Sequence, residues 1–159
     1  MKRLHVHLSV DDLAKSIDFY STLFGSSPGV MKHDYAKWLV EDPRMNFTIS
    51  KRARVAGLDH LGIQVDDGDE LSEISRRLSA AGNQVVEQED THCCYARSDK
   101  AWVHDPQGIA WETFRTREAA AGYGAGDEAV PAAAVDSSCC AASPCGAVPA
   151  AGGEAACCT

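Results

Sequence analysis

His5-Val6-His7-Leu8-Ser9-Val10-Asp11-Asp12 returns fifty-five residues later as His60-Leu61-Gly62-Ile63-Gln64-Val65-Asp66-Asp67. A self-similarity at fixed spacing signals a duplicated supersecondary unit. In the first copy Val6, Leu8 and Val10 alternate with His5, His7 and Ser9, and in the second Leu61, Ile63 and Val65 alternate with His60, Gly62 and Gln64. Period-two alternation gives a strand with one apolar face and one polar face, and the matching register makes His5 and His60 equivalent.

Each strand runs into a helical pattern. Asp11 or Asp12 is placed to cap a helix carrying Leu13, Ile17, Tyr20 and Phe24 on one stripe, ended by Gly25; the second copy has Leu71, Ile74 and Leu78 before Gly82. Shorter β-like runs follow at Tyr35–Val40 and Asn46–Ser50, then at Val85–Gln88, Ala101–His104 and Ala110–Phe114, with a weak strand near Val30–Lys32. Asp105-Pro106-Gln107-Gly108 is a turn signal between the last two strands. The expected fold class is therefore α+β: two βαβββ modules, about residues 1–52 and 57–117, forming a cup-shaped mixed sheet with the helices outside. From residue 118 the chain turns to Ala, Gly, Pro and Ser, so 118–159 is expected to be a disordered tail on a domain spanning 1–117.

The chain has 159 residues, 45% of them apolar, enough for one domain with a real core. Its formal charge of −8 argues against nucleic acid and anionic lipid as partners. The beginning of the chain has no signal-peptide pattern and no run reaches membrane-spanning length, so the expectation is a cytoplasmic protein without membrane association. All seven cysteines fall at or after residue 93, as Cys93-Cys94, Cys139-Cys140, Cys145 and Cys157-Cys158. A disulfide scaffold would spread its cysteines over the elements it staples, so these read as thiols suited to soft metals.

The polar strand faces line the cup, and the last strand adds Glu112 to the same face as Ala110 and Phe114. His5, His60 and Glu112 are then two imidazoles and one carboxylate, the facial set of non-haem Fe(II) oxygenases, and three ligands leave positions for reactants. His7 shares the face of His5 and is an alternative or supporting residue; His33, His92 and His104 read as non-ligands. The adjacent thiols Cys93 and Cys94, on what reads as a flexible loop, are placed to clasp a trivalent arsenical that keeps its carbon substituent.

The pattern His5-x-x-Leu8-x-Val10-x-Asp12-Leu13-x-x-Ser16-x-x-Phe19-Tyr20-x-x-Leu23-Phe24-Gly25, with Asp59-His60 and Asp105-Pro106-x-Gly108-x-x-x-Glu112, resembles the vicinal-oxygen-chelate superfamily of glyoxalases, bleomycin-resistance proteins and extradiol dioxygenases. A glyoxalase site would take a fourth ligand from the end of the first module, where this chain has Asn46, Phe47, Thr48 and Ile49. The stretch Asp90-Thr91-x-Cys93-Cys94-Tyr95-Ala96-x-x-Asp99-Lys100-x-Trp102-Val103 resembles the arsenic- and cadmium-inducible branch, which includes the carbon–arsenic lyases. The resemblance implies an Fe(II)-dependent, oxygen-using lyase acting on trivalent organoarsenicals such as methylarsenite. In it His5, His60 and Glu112 hold iron, Cys93 and Cys94 hold arsenic, dioxygen is the second substrate, and a homodimer is an allowed assembly. The rival readings are an extradiol-type dioxygenase or metal-dependent thiol transferase on the same scaffold, and a non-catalytic protein that sequesters cadmium or arsenite.

Overall fold

The computed structural model describes residues 1–52 and 55–121. Its elements are β1 (Arg3–Ser9), α1 (Leu13–Phe24), β2 (Val30–Met31), β3 (Tyr35–Glu41) and β4 (Arg44–Ser50), then β5 (Gly57–Gln64), α2 (Gly68–Ala80), β6 (Val86–Cys93), β7 (Ala96–His104) and β8 (Ala110–Ala119). This is βαβββ written twice, as the repeat predicts. The eight strands form one mixed sheet in the order β2-β3-β4-β1-β5-β8-β7-β6. Each module pairs its first strand in parallel with its last, β1 with β4 and β5 with β8, while antiparallel pairing of β1 with β5 joins the modules. The sheet curls into a half-barrel around the faces that carry the histidines.

The local causes are those expected from the sequence. Asp12 caps α1 by accepting a hydrogen bond from the Lys15 backbone N–H at 3.1 Å, and Gly25, at φ 64°, ends the helix in the left-handed region. Asp67 caps α2 through the Glu70 N–H at 2.8 Å, and the Glu70 carboxylate reaches back to accept from the Asp66 N–H at 3.1 Å, one residue before the cap. The stripe of α1 packs on the outer sheet face, where Ala36, Trp38, Phe47 and Ile49 are buried and Leu13, Ile17, Tyr20 and Phe24 close over them. Burying such side chains contributes roughly 1.5–3 kcal/mol each, which leaves the inner face free to be polar. Among the described residues no helix is long and apolar enough to cross a membrane.

Two boundaries differ from the sequence reading. β8 continues through Ala119, pairing with Arg97 and Ala96, so the folded domain runs past residue 117. The expected tail, with Cys139, Cys140, Cys145, Cys157 and Cys158, otherwise lies outside the described residues. β6 and β7 are also longer than their apolar cores suggest, since the polar residues 89–93 and 96–100 join the ladder. Cross-strand ion pairs supply what propensity lacks there: Arg97 contacts Asp90 and Glu118, and Asp99 is held by Arg115 at 2.7 Å and Arg117 at 2.8 Å.

Candidate metal centre and thiol pair

The two halves meet along β1 and β5, where His7 stands opposite His60 and His5 opposite Gly62, and Gly62 in turn stands beside Glu112 on β8. Strand alternation turns His5, His7 and His60 inward, and all are buried, as is Glu112. Their atoms converge: His5 Nε2 lies 3.2 Å from His60 Nε2, and Glu112 Oε2 lies 3.7 Å from the first and 3.4 Å from the second. The point equidistant from these three atoms is about 2 Å from each, the length of a bond from a divalent transition metal to nitrogen or oxygen. One ring nitrogen each of His5, His7 and His60 also lies within 4.8 Å of the others, so a third imidazole stands beside the pair that faces Glu112.

Hydrogen bonds on the far side of each ring fix which nitrogen faces that spot. His5 Nδ1 donates to the Asn46 carbonyl at 3.0 Å, and His60 Nδ1 donates to Asp59 Oδ1 at 2.7 Å. Each Nε2 is left to present a lone pair inward, the arrangement that orients metal-binding imidazoles. Burial, opposed by Glu112, lowers the His5 pKa to about 4 and keeps the ring neutral. The His60 pKa is raised, because hydrogen bonds and charge from Asp59 and Glu112 outweigh its burial. Burial opposes the charge of Glu112, yet Lys100, His60 and His5 hold its carboxyl well below the usual range. Two neutral-capable nitrogens and one fixed anion at bonding distance from a common point fit a divalent cation.

The thiols line the same cavity from the tip of the β6–β7 hairpin. This tip is a tight two-residue turn, not the flexible loop expected from the sequence: Cys94 and Tyr95 have φ of 57° and 61°, the signs of a type I′ turn. Non-glycine residues are strained there, by roughly 1–3 kcal/mol each. The turn is pinned by Tyr95, whose hydroxyl donates to Asp34 Oδ1 of the first module at 2.7 Å. Cys93 and Cys94 are not joined in a disulfide, and their sulfurs share a hydrogen bond at 2.8 Å. A hydrogen bond from Cys94, helped by Lys100 and opposed by burial, lowers Cys93 to about 7, while the same bond and burial push Cys94 up. One thiolate is therefore shared between two sulfurs near neutral pH.

Lys100 went unnoticed in the sequence as a site residue. Its ammonium lies 2.6 Å from Glu112 Oε1, the oxygen turned away from the imidazoles, and both groups are buried. The signal was a lysine on the inward face of a strand whose other inward residues are Ala96, Ser98 and Trp102. Register also locates the missing fourth ligand: Gly62 pairs with Glu112 as His7 pairs with Thr48, so Thr48 stands where the first module would repeat the carboxylate. Trp102 and Phe114 wall the imidazoles, each ring 5.1 Å from a histidine centroid. His33, His92 and His104 do not line the cavity.

Residues 2–113 match the family described as Glyoxalase/Bleomycin resistance protein/Dioxygenase superfamily. The chain is 48% identical to a trivalent organoarsenical cleaving enzyme of Bacillus sp. (strain MD1), over 74% of this chain and 74% of that protein. It is 38% identical to a trivalent organoarsenical cleaving enzyme of Thermomonospora curvata, over 88% of this chain and 89% of that protein. Among solved structures, an extradiol ring-cleaving dioxygenase from B. fuscum superposes with a TM-score of 0.55 at 21% identity, covering 74% of this chain and 33% of that one, a likeness of fold.

Proposed function

We propose, from the premise that this chain belongs to the Glyoxalase/Bleomycin resistance protein/Dioxygenase superfamily, that it is a carbon–arsenic bond lyase using Fe(II) and oxygen to convert trivalent organoarsenicals such as methylarsenite to arsenite. The observation that carries this reading is the presence of two groups in one cavity: His5, His60 and Glu112 line it together with the Cys93–Cys94 pair. The names of the relatives supply the substrate class, and the chemistry of the donors accounts for it. Thiolates prefer a soft trivalent arsenic centre, whereas imidazole and carboxylate suit ferrous iron.

His5 Nε2, His60 Nε2 and Glu112 Oε2 would hold the metal. A ferrous ion bound by three protein ligands supplies oxygen activation through its remaining coordination positions. The chain's own residues do the rest. The Cys93 thiolate attacks arsenic and displaces one hydroxide, and Cys94 displaces the second. With R–As(OH)2 as substrate, two thiols are consumed, two As–S bonds form, and two waters leave. The As–C bond survives this capture and is held inside the cavity. The rigid turn fixes both sulfurs before substrate arrives, so little ordering remains to be done on binding. Trp102 and Phe114 line the cavity and shield the carbon substituent from bulk water. Asp59 and the Asn46 carbonyl keep the two imidazoles aimed, and Lys100 holds the outer oxygen of Glu112, presenting Oε2 inward.

The experiment is aerobic turnover of methylarsenite with and without added Fe(II), following arsenite release and oxygen uptake. Iron-dependent arsenite formation with matching oxygen consumption is the expected result. Stoichiometric binding without product would instead leave a sequestering protein, for which the buried His/Glu set has no use.

A further inference from the structure

We infer that His7 is a latent fourth ligand, which closes the centre into a tetrahedral, substrate-excluding site when Zn2+ or Cd2+ takes the place of iron. The inference rests on the metal centre proposed above. His7 is 1% exposed, stands opposite His60 in the sheet, and has its ring centroid 4.8 Å from that of His60. Its Nε2 is hydrogen-bonded to Ser50 Oγ at 2.8 Å. One neutral hydrogen bond is worth about 1 kcal/mol net, far less than a metal–imidazole bond.

The duplication shows why this spare imidazole occurs once. Its equivalent in the second module is Gly62, where a Cβ would meet the Glu112 carbonyl oxygen at 2.2 Å. No side chain fits on that side. On the first side the equivalent neighbour, Thr48, is small, and the carboxylate that symmetry would place there is missing. The wall that lacks a fourth ligand is therefore the wall against which an extra histidine is packed.

Metal chemistry separates the two states. Zinc is almost always four-coordinate and tetrahedral in closed sites, with edges between ligand atoms of about 3.4 Å. One nitrogen each of His5, His7 and His60 already lies within 4.8 Å of the others, so a swing of the His7 ring toward the other two imidazoles brings a third nitrogen to an ion held with Glu112. Four protein ligands leave no position for a reactant. Ferrous iron prefers higher coordination and gains less from a third imidazole that would occupy one of its open positions.

X-ray absorption of the full chain, loaded anaerobically with Fe(II) or with Zn2+, counts imidazoles directly. Two with iron and three with zinc are expected. In competition titrations His7→Phe should weaken Zn2+ about tenfold or more while leaving Fe(II) affinity within about threefold. Ser50→Ala, which frees the ring and conserves the ligands, should tighten Zn2+ about fivefold. Two imidazoles with both metals, or an equal loss of both metals in His7→Phe, overturns the inference and leaves the three-ligand centre standing. No imidazole with iron would overturn that centre and this inference together.

Discussion

Lys100 Nζ lies 2.6 Å from Glu112 Oε1, a buried ion pair built onto the carboxylate whose other oxygen faces the two imidazoles. Burial works against the lysine's charge, but Glu112 and the two thiols outweigh it and raise its pKa. Removing one partner of a buried pair leaves the other charge uncompensated, at a cost of about 3–5 kcal/mol. Lys100→Met is therefore expected to destabilise the metal-free protein by about 3 kcal/mol. Fe(II), a replacement counter-charge for Glu112, should restore part of that loss. Denaturant titrations with and without Fe(II) check this, and an equal loss in both would show that the lysine does not compensate the carboxylate.

The three inward atoms make the ligand prediction sharp. His60→Ala and Glu112→Ala each leave two ligands and should lower iron affinity by at least about a hundredfold, with arsenite release lost. His5→Ala should match them. Iron content by mass spectrometry after desalting separates the variants. Retention of stoichiometric iron in His5→Ala, with loss in His7→Phe, would move the first ligand two residues along β1.

Much of this centre was legible in the sequence. The repeat aligned His5 with His60, and strand alternation turned both to the face that Glu112 also shares. Periodicity reports faces, so it found those three. It could not report register across strands, which is why Lys100, whose role depends on meeting Glu112 from β7, went unseen, and why Thr48 could not be singled out from Asn46, Phe47 and Ile49 as the vacant symmetric position. The thiol turn was missed for another reason. Cys94 and Tyr95 are poor residues for positive φ, and no turn rule would choose them. The conformation is imposed by the β6–β7 ladder and by the Tyr95–Asp34 hydrogen bond, both tertiary.

Gly62 tests whether that register positions the centre. A Cβ there would collide with the Glu112 backbone oxygen at 2.2 Å, and backbone cannot yield as a side-chain end can. Gly62→Ala should cost about 1–3 kcal/mol by forcing β5 and β8 apart. Because Glu112 rides on β8, iron affinity should fall along with the melting temperature. A variant as stable and as iron-loaded as the parent would mean that the two strands are not held at this spacing.

The thiol pair carries the pH dependence. Cys93, lowered to about 7 mainly by the hydrogen bond from Cys94, is a thiolate above that pH and a thiol below it. Since only the thiolate is nucleophilic, alkylation by iodoacetamide should be flat above pH 8 and fall about tenfold per unit below pH 6, with methylarsenite capture following the same curve. Cys94→Ala removes the donor that stabilises the Cys93 anion, so the midpoint should move upward toward the ordinary thiol value and capture at neutral pH should slow. Cys93→Ser removes the neighbour whose hydrogen bond does most to push Cys94 up but leaves Cys94 buried, which still raises its thiol, so it should react slowly at neutral pH. Iron content should be unchanged in both variants, because neither sulfur belongs to the ligand set. An alkylation midpoint in Cys94→Ala equal to that of the parent would show that the two sulfurs do not share a proton, and would remove the reason for their adjacency in the capture step.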